Sequence, residues 1–309
     1  MKKISLVFLT LFPALSMATT VNGTKTDSDL LLKDSKNSLS QKIEERLDYE
    51  EESDKNPFSL TTHKMNYILP YTYSENINTS VYSEIEDFNL SENFKNEEIK
   101  FQLSVKFPIL KSIFKEDDKL YFGFTMKSFW QIYAAEASRP FRNTDYNPEI
   151  FYMTKISEIG DRDNFLMFGL EHESNGQVQY LSRSWNRIYA TIETDCDDYA
   201  IALKTWYRIP EDEKTEAFSP KGDDNPDIGD YYGNAELSLL WNYSDFQYTA
   251  LGRHNFSTGK GYLELGVTFP LYDNLKGYAQ FVNGYGETLL DYNFYQRRIG
   301  VGIVFSDIF

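Results

Sequence analysis

His172, Ser174 and Asn186 are the side chains of this sequence best suited to acyl transfer. A serine hydroxyl becomes a competent nucleophile when a neighbouring base takes its proton, and imidazole is the base that titrates near neutrality. An asparagine oxygen can accept from the other ring nitrogen and hold the tautomer that receives the serine proton. A neutral amide also suits an apolar setting, where an uncompensated charge is costly. Read by itself, the His-x-Ser pair equally describes an interfacial histidine beside a loop serine. The decision rests on the elements that carry them.

From Leu166 to Gly176 the chain alternates. Leu166, Phe168, Leu170, His172 and Ser174 share one face of a strand, and Glu171 and Glu173 share the other. Asn175-Gly176 has turn chemistry. If the next strand returns antiparallel, Ser184, Asn186, Ile188, Ala190 and Ile192 form the matching face. Serine, histidine and asparagine then gather on one apolar surface. A soluble protein hides such a surface in its core, whereas a membrane barrel shows it to lipid. On the opposite face, Glu171, Glu173, Arg183 and Arg187 can pair as a polar network bracing the two strands, and equally read as the ordinary polar filling of a small barrel.

The rest of the chain favours the barrel. It has 309 residues and a net charge of −16, with 23 Tyr and 23 Phe in alternating segments. Twelve such segments are expected near residues 65–74, 97–110, 119–134, 148–159, 164–174, 184–194, 198–209, 232–244, 246–256, 261–272, 276–290 and 295–305. An even number of antiparallel strands can close on itself, which removes every edge and lets a sheet span lipid. The fold expected is therefore all-β, a twelve-stranded antiparallel transmembrane β-barrel. Residues 1–18, two lysines, an apolar run over 4–15 and a small-x-small end, read as a secretory signal peptide. Residues 19–62 read as a polar, acidic extension, mainly solvated, with a short helix conceivable over 40–47, and residues 63–309 as the barrel. Val301, Ile303, Phe305 and Phe309 give the last strand an aromatic end similar to the signal by which outer-membrane barrels are assembled. The acidic balance excludes nucleic-acid binding, which needs a basic footprint. The single cysteine, Cys196, excludes an internal disulfide and sits among aspartates that disfavour a thiolate.

At this point the motifs carry a resemblance. His172-x-Ser174-Asn175-Gly176, the run 182–187, Asp224-Asn225-Pro226-Asp227, Gly284-Tyr285-Gly286-Glu287 and Asp291-Tyr292-Asn293-Phe294 are similar, in order and spacing, to the outer-membrane phospholipase A family. The resemblance runs from about residue 56 to 309. It implies hydrolysis of acyl ester bonds of phospholipids and lysophospholipids by a calcium-bound homodimer in the bacterial outer membrane. By position it implies Ser174 as nucleophile, His172 as general base, Asn186 as the residue orienting that base, and the Gly176 amide as oxyanion donor. It further implies Ca2+ held by the Ser182 hydroxyl and the Gln177 carbonyl of one subunit and the Ser138 hydroxyl of the other. Taken as residues alone, Ser182 and Ser138 are ordinary loop serines.

Two departures matter. Met126 stands where the family pattern has a glutamine that hydrogen-bonds across the dimer, and the segment 177–181 lacks the family's usual residues. Asp223, Asp224 and Asp227 read as a solvated turn, and His63 and His254 as structural or interfacial. The competing functions are a passive porin and a non-catalytic adhesin barrel. A porin requires an open lumen, and twelve strands enclose a narrow one that large side chains can fill.

Overall fold

The computed structural model describes residues 39–53, 59–82, 91–158, 163–196, 198–216, 219, 221–272 and 275–306. The expected signal peptide and Phe309 lie outside the described residues. Twelve strands follow in chain order: β1 (Asn66–Ser74), β2 (Glu97–Lys111), β3 (Lys119–Trp130), β4 (Phe141–Glu158), β5 (Asp163–Ser174) and β6 (Ser184–Cys196). The second half supplies β7 (Tyr199–Ile209), β8 (Ala235–Tyr243), β9 (Phe246–Asn255), β10 (Lys260–Tyr272), β11 (Leu275–Tyr285) and β12 (Tyr295–Ser306). Each pairs antiparallel with the next, and β12 returns to β1, so the sheet is a closed barrel.

The period-two pattern explains the wall. Phe168, Leu170, Ile188, Ile192, Leu203 and Ile299 are exposed on its outer surface, and their chain neighbours face inward. Much of the interior is filled. An aromatic cluster of Tyr121, Phe151, Trp185, Tyr189, Trp206, Tyr232 and Tyr292 runs through it. A network of ion pairs lies beside the cluster. Arg142 bonds Glu98 at 2.7 Å and Asp291 at 2.6 Å, Arg298 bonds Glu98 and Glu287 at 2.9 Å, and Lys100 bonds Glu287 at 3.0 Å. Three cations thus meet three anions out of water, where a missing partner would leave an uncompensated charge. Such filling is contrary to the open lumen a porin requires.

Several boundaries differ from the sequence reading. β4 begins at Phe141, well before residue 148, because Asn143, Asp145 and Asn147 turn polar side chains inward to partners in the lumen. β11 ends at Tyr285 because Gly284 and Gly286 take φ of 130° and 75°, and a side chain at 284 would strike the Gly261 backbone. A short helix, α2 (Ile228–Tyr232), precedes β8 and takes up Tyr232, so the strand expected from 232 begins at Ala235.

The expectation of a solvated extension fails for residues 39–53. They form a helix, α1 (Leu39–Ser53), whose Leu39 is buried and whose Glu50 pairs with Lys106 of β2 at 3.0 Å. Arg46 donates to the Thr62 carbonyl at 2.7 Å, and Thr61–Thr62 adds a short bridge to β2. Beneath this helix, within the lumen, lies a cavity of about 330 Å³, lined among others by Arg46, Lys64, Lys106, Glu149 and Lys204.

Candidate active site

The long loops share one end of the barrel, the end at which β5 finishes and β6 starts. In the β5–β6 pair His172 lies directly opposite Asn186, and Ser174 opposite Ser184. The side chains point outward, as the alternation requires. His172 is exposed, and Ser174 and Asn186 are half-buried at the rim of an apolar wall. His172 Nδ1 and Asn186 Oδ1 are 2.9 Å apart. With Nδ1 as donor, Nε2 is left unprotonated and free to accept a proton. Among the described residues no hydrogen bond joins Ser174 to His172; such contacts are often long without substrate and tighten when it binds.

Behind the wall the expected polar network is present, with one change. Arg187 pairs with Glu171, reaches Glu173 at 3.0 Å and stacks over the Trp185 ring at 3.9 Å. Trp185, 1% exposed, donates to Glu173 at 2.9 Å, and Lys204 holds Glu171 at 2.7 Å. Arg183 takes no part: it donates to the carbonyls of Tyr180 and Ser182, both at or near 2.7 Å, because the chain has already left the strand there. These contacts pin β5 to β6, and a one-residue slip would turn His172 inward.

The loop between the strands is shaped by Asn175. Its buried side chain donates to the Leu181 carbonyl at 2.6 Å and accepts from the Arg183 amide at 2.9 Å. Gly176 follows with φ of 60°, where a side chain would press on the Tyr146 ring at 3.3 Å. Its amide donates no hydrogen bond among the described residues and sits two positions beyond Ser174, so it is available to an incoming oxygen.

Ser182 donates to Asp224 Oδ2 at 2.6 Å, and Lys214 covers the other carboxylate oxygen. The reading of residues 223–227 as a solvated turn therefore fails. Asp223 takes both its oxygens to Arg208 at 2.6 Å, Asn225 accepts from the Ser184 amide at 3.1 Å, and Asp227 accepts from the Tyr292 hydroxyl at 2.5 Å. Burial raises the Tyr292 hydroxyl above its ordinary range, and Asp227 raises it further. Hydroxyl, carbonyl and carboxylate oxygens are the donor set of a hard cation, so Ser182, Asp224 and the Gln177 backbone fit calcium by ligand type. Ser138 lies in the β3–β4 loop, exposed, in a left-handed conformation with φ of 60°. Within one chain it makes no side-chain hydrogen bond to Gln177 or Ser182 among the described residues.

The other candidates lie elsewhere. Cys196 is buried at the far end of β6. His63 stacks on Phe151 at 5.0 Å and bonds Glu149 at 2.8 Å inside the lumen, and His254 packs edge-on against Phe256.

A family model described as phospholipase A1 matches residues 43–305. The chain belongs to the phospholipase A1 family. Phospholipase A1 of Klebsiella pneumoniae is 36% identical over 256 residues, covering 82% of this chain and 85% of the relative. Phospholipase A1 of Escherichia coli shows the same identity over 82% of this chain and 84% of its own length. Among solved structures, the outer-membrane phospholipase dimer of Salmonella typhi with bound calcium matches with a TM-score of 0.73 at 36% identity, covering 82% of this chain and 94% of that one. The outer-membrane phospholipase A of Escherichia coli matches at 0.74 and 35%, with the same coverage. An asparagine-to-alanine active-site mutant of that enzyme matches at 0.74 and 34%. The expectations of a phospholipase and of an outer-membrane barrel are thereby borne out, and the adhesin and porin alternatives are set aside.

Proposed function

We propose that this member of the phospholipase A1 family cleaves acyl esters of phospholipids and lysophospholipids at the lipid-facing rim of the barrel, with Ser174 as nucleophile. The observation that supports this most is the 2.9 Å contact of His172 and Asn186 at paired strand positions, two residues from Ser174 on the same outward face. Ser174 Oγ attacks the ester carbonyl carbon as His172 Nε2 takes its proton, and Asn186 accepts from Nδ1 and steadies the imidazolium. The Gly176 amide donates to the oxygen that becomes negative. Collapse expels the glycerol-side alcohol, which takes the proton from His172. Water then attacks the acyl-enzyme with His172 again as base, releasing the fatty acid and restoring Ser174.

Calcium would be held by Ser182 and the Gln177 carbonyl, with Asp224 beside them and Ser138 contributed by a second copy of the chain. A bound calcium ion supplies positive charge near the developing oxyanion. Two arguments favour a dimer as the active form. The site opens on lipid, so a monomer that was always active would degrade its own membrane, and a second copy docked on that face would wall off the acyl chain. A calcium-bound dimer is also known for the Salmonella typhi relative. The test is release of fatty acid from a defined phospholipid in detergent micelles, with calcium or with chelator. Calcium-dependent release supports the reading, and absence of any release sinks it.

A further inference from the structure

Asn186 is held from both ends. Its oxygen faces His172 Nδ1 at 2.9 Å, and its amide nitrogen donates to Glu211 Oε1 at 3.1 Å. The second contact follows from register. Ile209, the last residue of β7, lies opposite Asn186, and Glu211 continues the outward-facing series Ile201, Leu203, Tyr207 and Ile209 by one more step. Glu211 is itself half-buried at the root of the long loop leading to α2.

The two ends of an asparagine amide have almost the same shape and opposite polarity. A half-turn about its terminal bond would aim the NH2 group at Nδ1. The imidazole would then accept there and carry its proton on Nε2, where it could not take the proton of Ser174. A carboxylate accepts and cannot donate, so it selects the orientation in which NH2 points to Glu211 and the oxygen to His172. Resting on the assignment of Ser174, His172 and Asn186, we infer that Glu211 is a positioning residue of the hydrolase site, fixing the Asn186 amide so that His172 keeps the tautomer that can act as base. Its negative charge lies on the side of Asn186 remote from the imidazole and also favours the imidazolium formed in the transition state.

The test compares Glu211→Ala and Glu211→Gln, each in the native and the Asn186→Asp background, on phospholipid in mixed micelles with calcium. Heat-modifiable gel mobility confirms that each barrel is folded. In the native background Glu211→Ala lowers kcat about tenfold with KM changed less than twofold, the scale of one hydrogen bond to a charged group. Glu211→Gln, whose amide can donate as well as accept and so no longer selects one orientation, recovers only a minor part of that loss. Asp at 186 has two equivalent oxygens, so orientation ceases to matter and Glu211 faces a like charge. Glu211→Ala in that background leaves kcat unchanged or raises it. An equal loss in both backgrounds, an effect on KM alone, or no effect in the native background overturns the inference. Ser174→Ala is run alongside: if it remains active, the site assignment itself fails, whereas an inactive Ser174→Ala with indifferent Glu211 variants removes only the role of Glu211.

Discussion

Ser182 donates its hydroxyl proton to Asp224 at 2.6 Å, tying the end of the β5–β6 loop to the turn before α2, and Lys214 sits on the opposite oxygen of the same carboxylate. If calcium binds at Ser182 as proposed, Asp224 attracts it and the Lys214 ammonium competes with it. Calorimetric titration of the detergent-solubilised protein should show calcium binding weakened about tenfold by Asp224→Asn and strengthened by Lys214→Ala. Shifts in the same direction, or none, would remove Asp224 from the site.

Asn186→Ala is expected to leave measurable turnover. The side chain orients His172 without exchanging a proton, and a water can partly replace it. The loss in kcat should be on the order of ten- to a thousandfold, less than the ~10⁴ seen when a triad carboxylate is replaced. Steady-state hydrolysis as complete a loss as that of Ser174→Ala would count against an orienting role.

What the sequence made legible was decided by periodicity. His172, Ser174 and Asn186 could be assigned to one face because β5 and β6 pair without a bulge, whereas the register that sets His172 opposite Asn186 spans the nine-residue loop 175–183 and is not dictated by the Asn175-Gly176 pair alone. Asp224 could not be assigned in that way, since its partners Ser182 and Lys214 lie across loops that have no period. Glu211 depended on knowing where β7 ends relative to Asn186. The helix Leu39–Ser53 was obscured by its charge: Glu50 reads as solvated until Lys106 is seen to neutralise it.

The lumen network has a pH signature at its loop member. Burial pushes the Glu287 carboxyl up, but Arg298 and Lys100 more than offset this and hold it at about 2, below the ordinary 4.5. A depressed carboxylate stabilises the fold above its unfolded value, and the contribution fades as pH falls through the folded one. Glu287→Gln should therefore be less stable than the parent at pH 7, by on the order of 3 kcal/mol, with the gap closing between about pH 4.5 and 2. Calorimetry in detergent at several pH values is the check, and a gap independent of pH would contradict it.

Met126 faces outward on β3, opposite Tyr146 of β4, which in turn lies opposite Ser174. An apolar side chain here offers no hydrogen bond to a second copy. Met126→Gln should tighten the calcium-bound dimer about threefold, the equivalent of the ~0.6 kcal/mol averaged by such bonds in membranes. Sedimentation equilibrium in detergent measures it. A weaker dimer in the glutamine variant would show that this row does not lie at the interface.

Ser174 is proposed to act on the outside of the barrel, with His172 as its base. The most direct measurement treats the folded protein with a sulfonyl fluoride in calcium-containing micelles and locates the modified residue by peptide mass, with fatty-acid release followed in parallel. A single sulfonylated residue, Ser174, is expected, with activity lost in step, no labelling in Ser174→Ala, and little labelling in His172→Ala. Stoichiometric modification of another residue accompanied by loss of activity, or undiminished hydrolysis by folded Ser174→Ala, would contradict it.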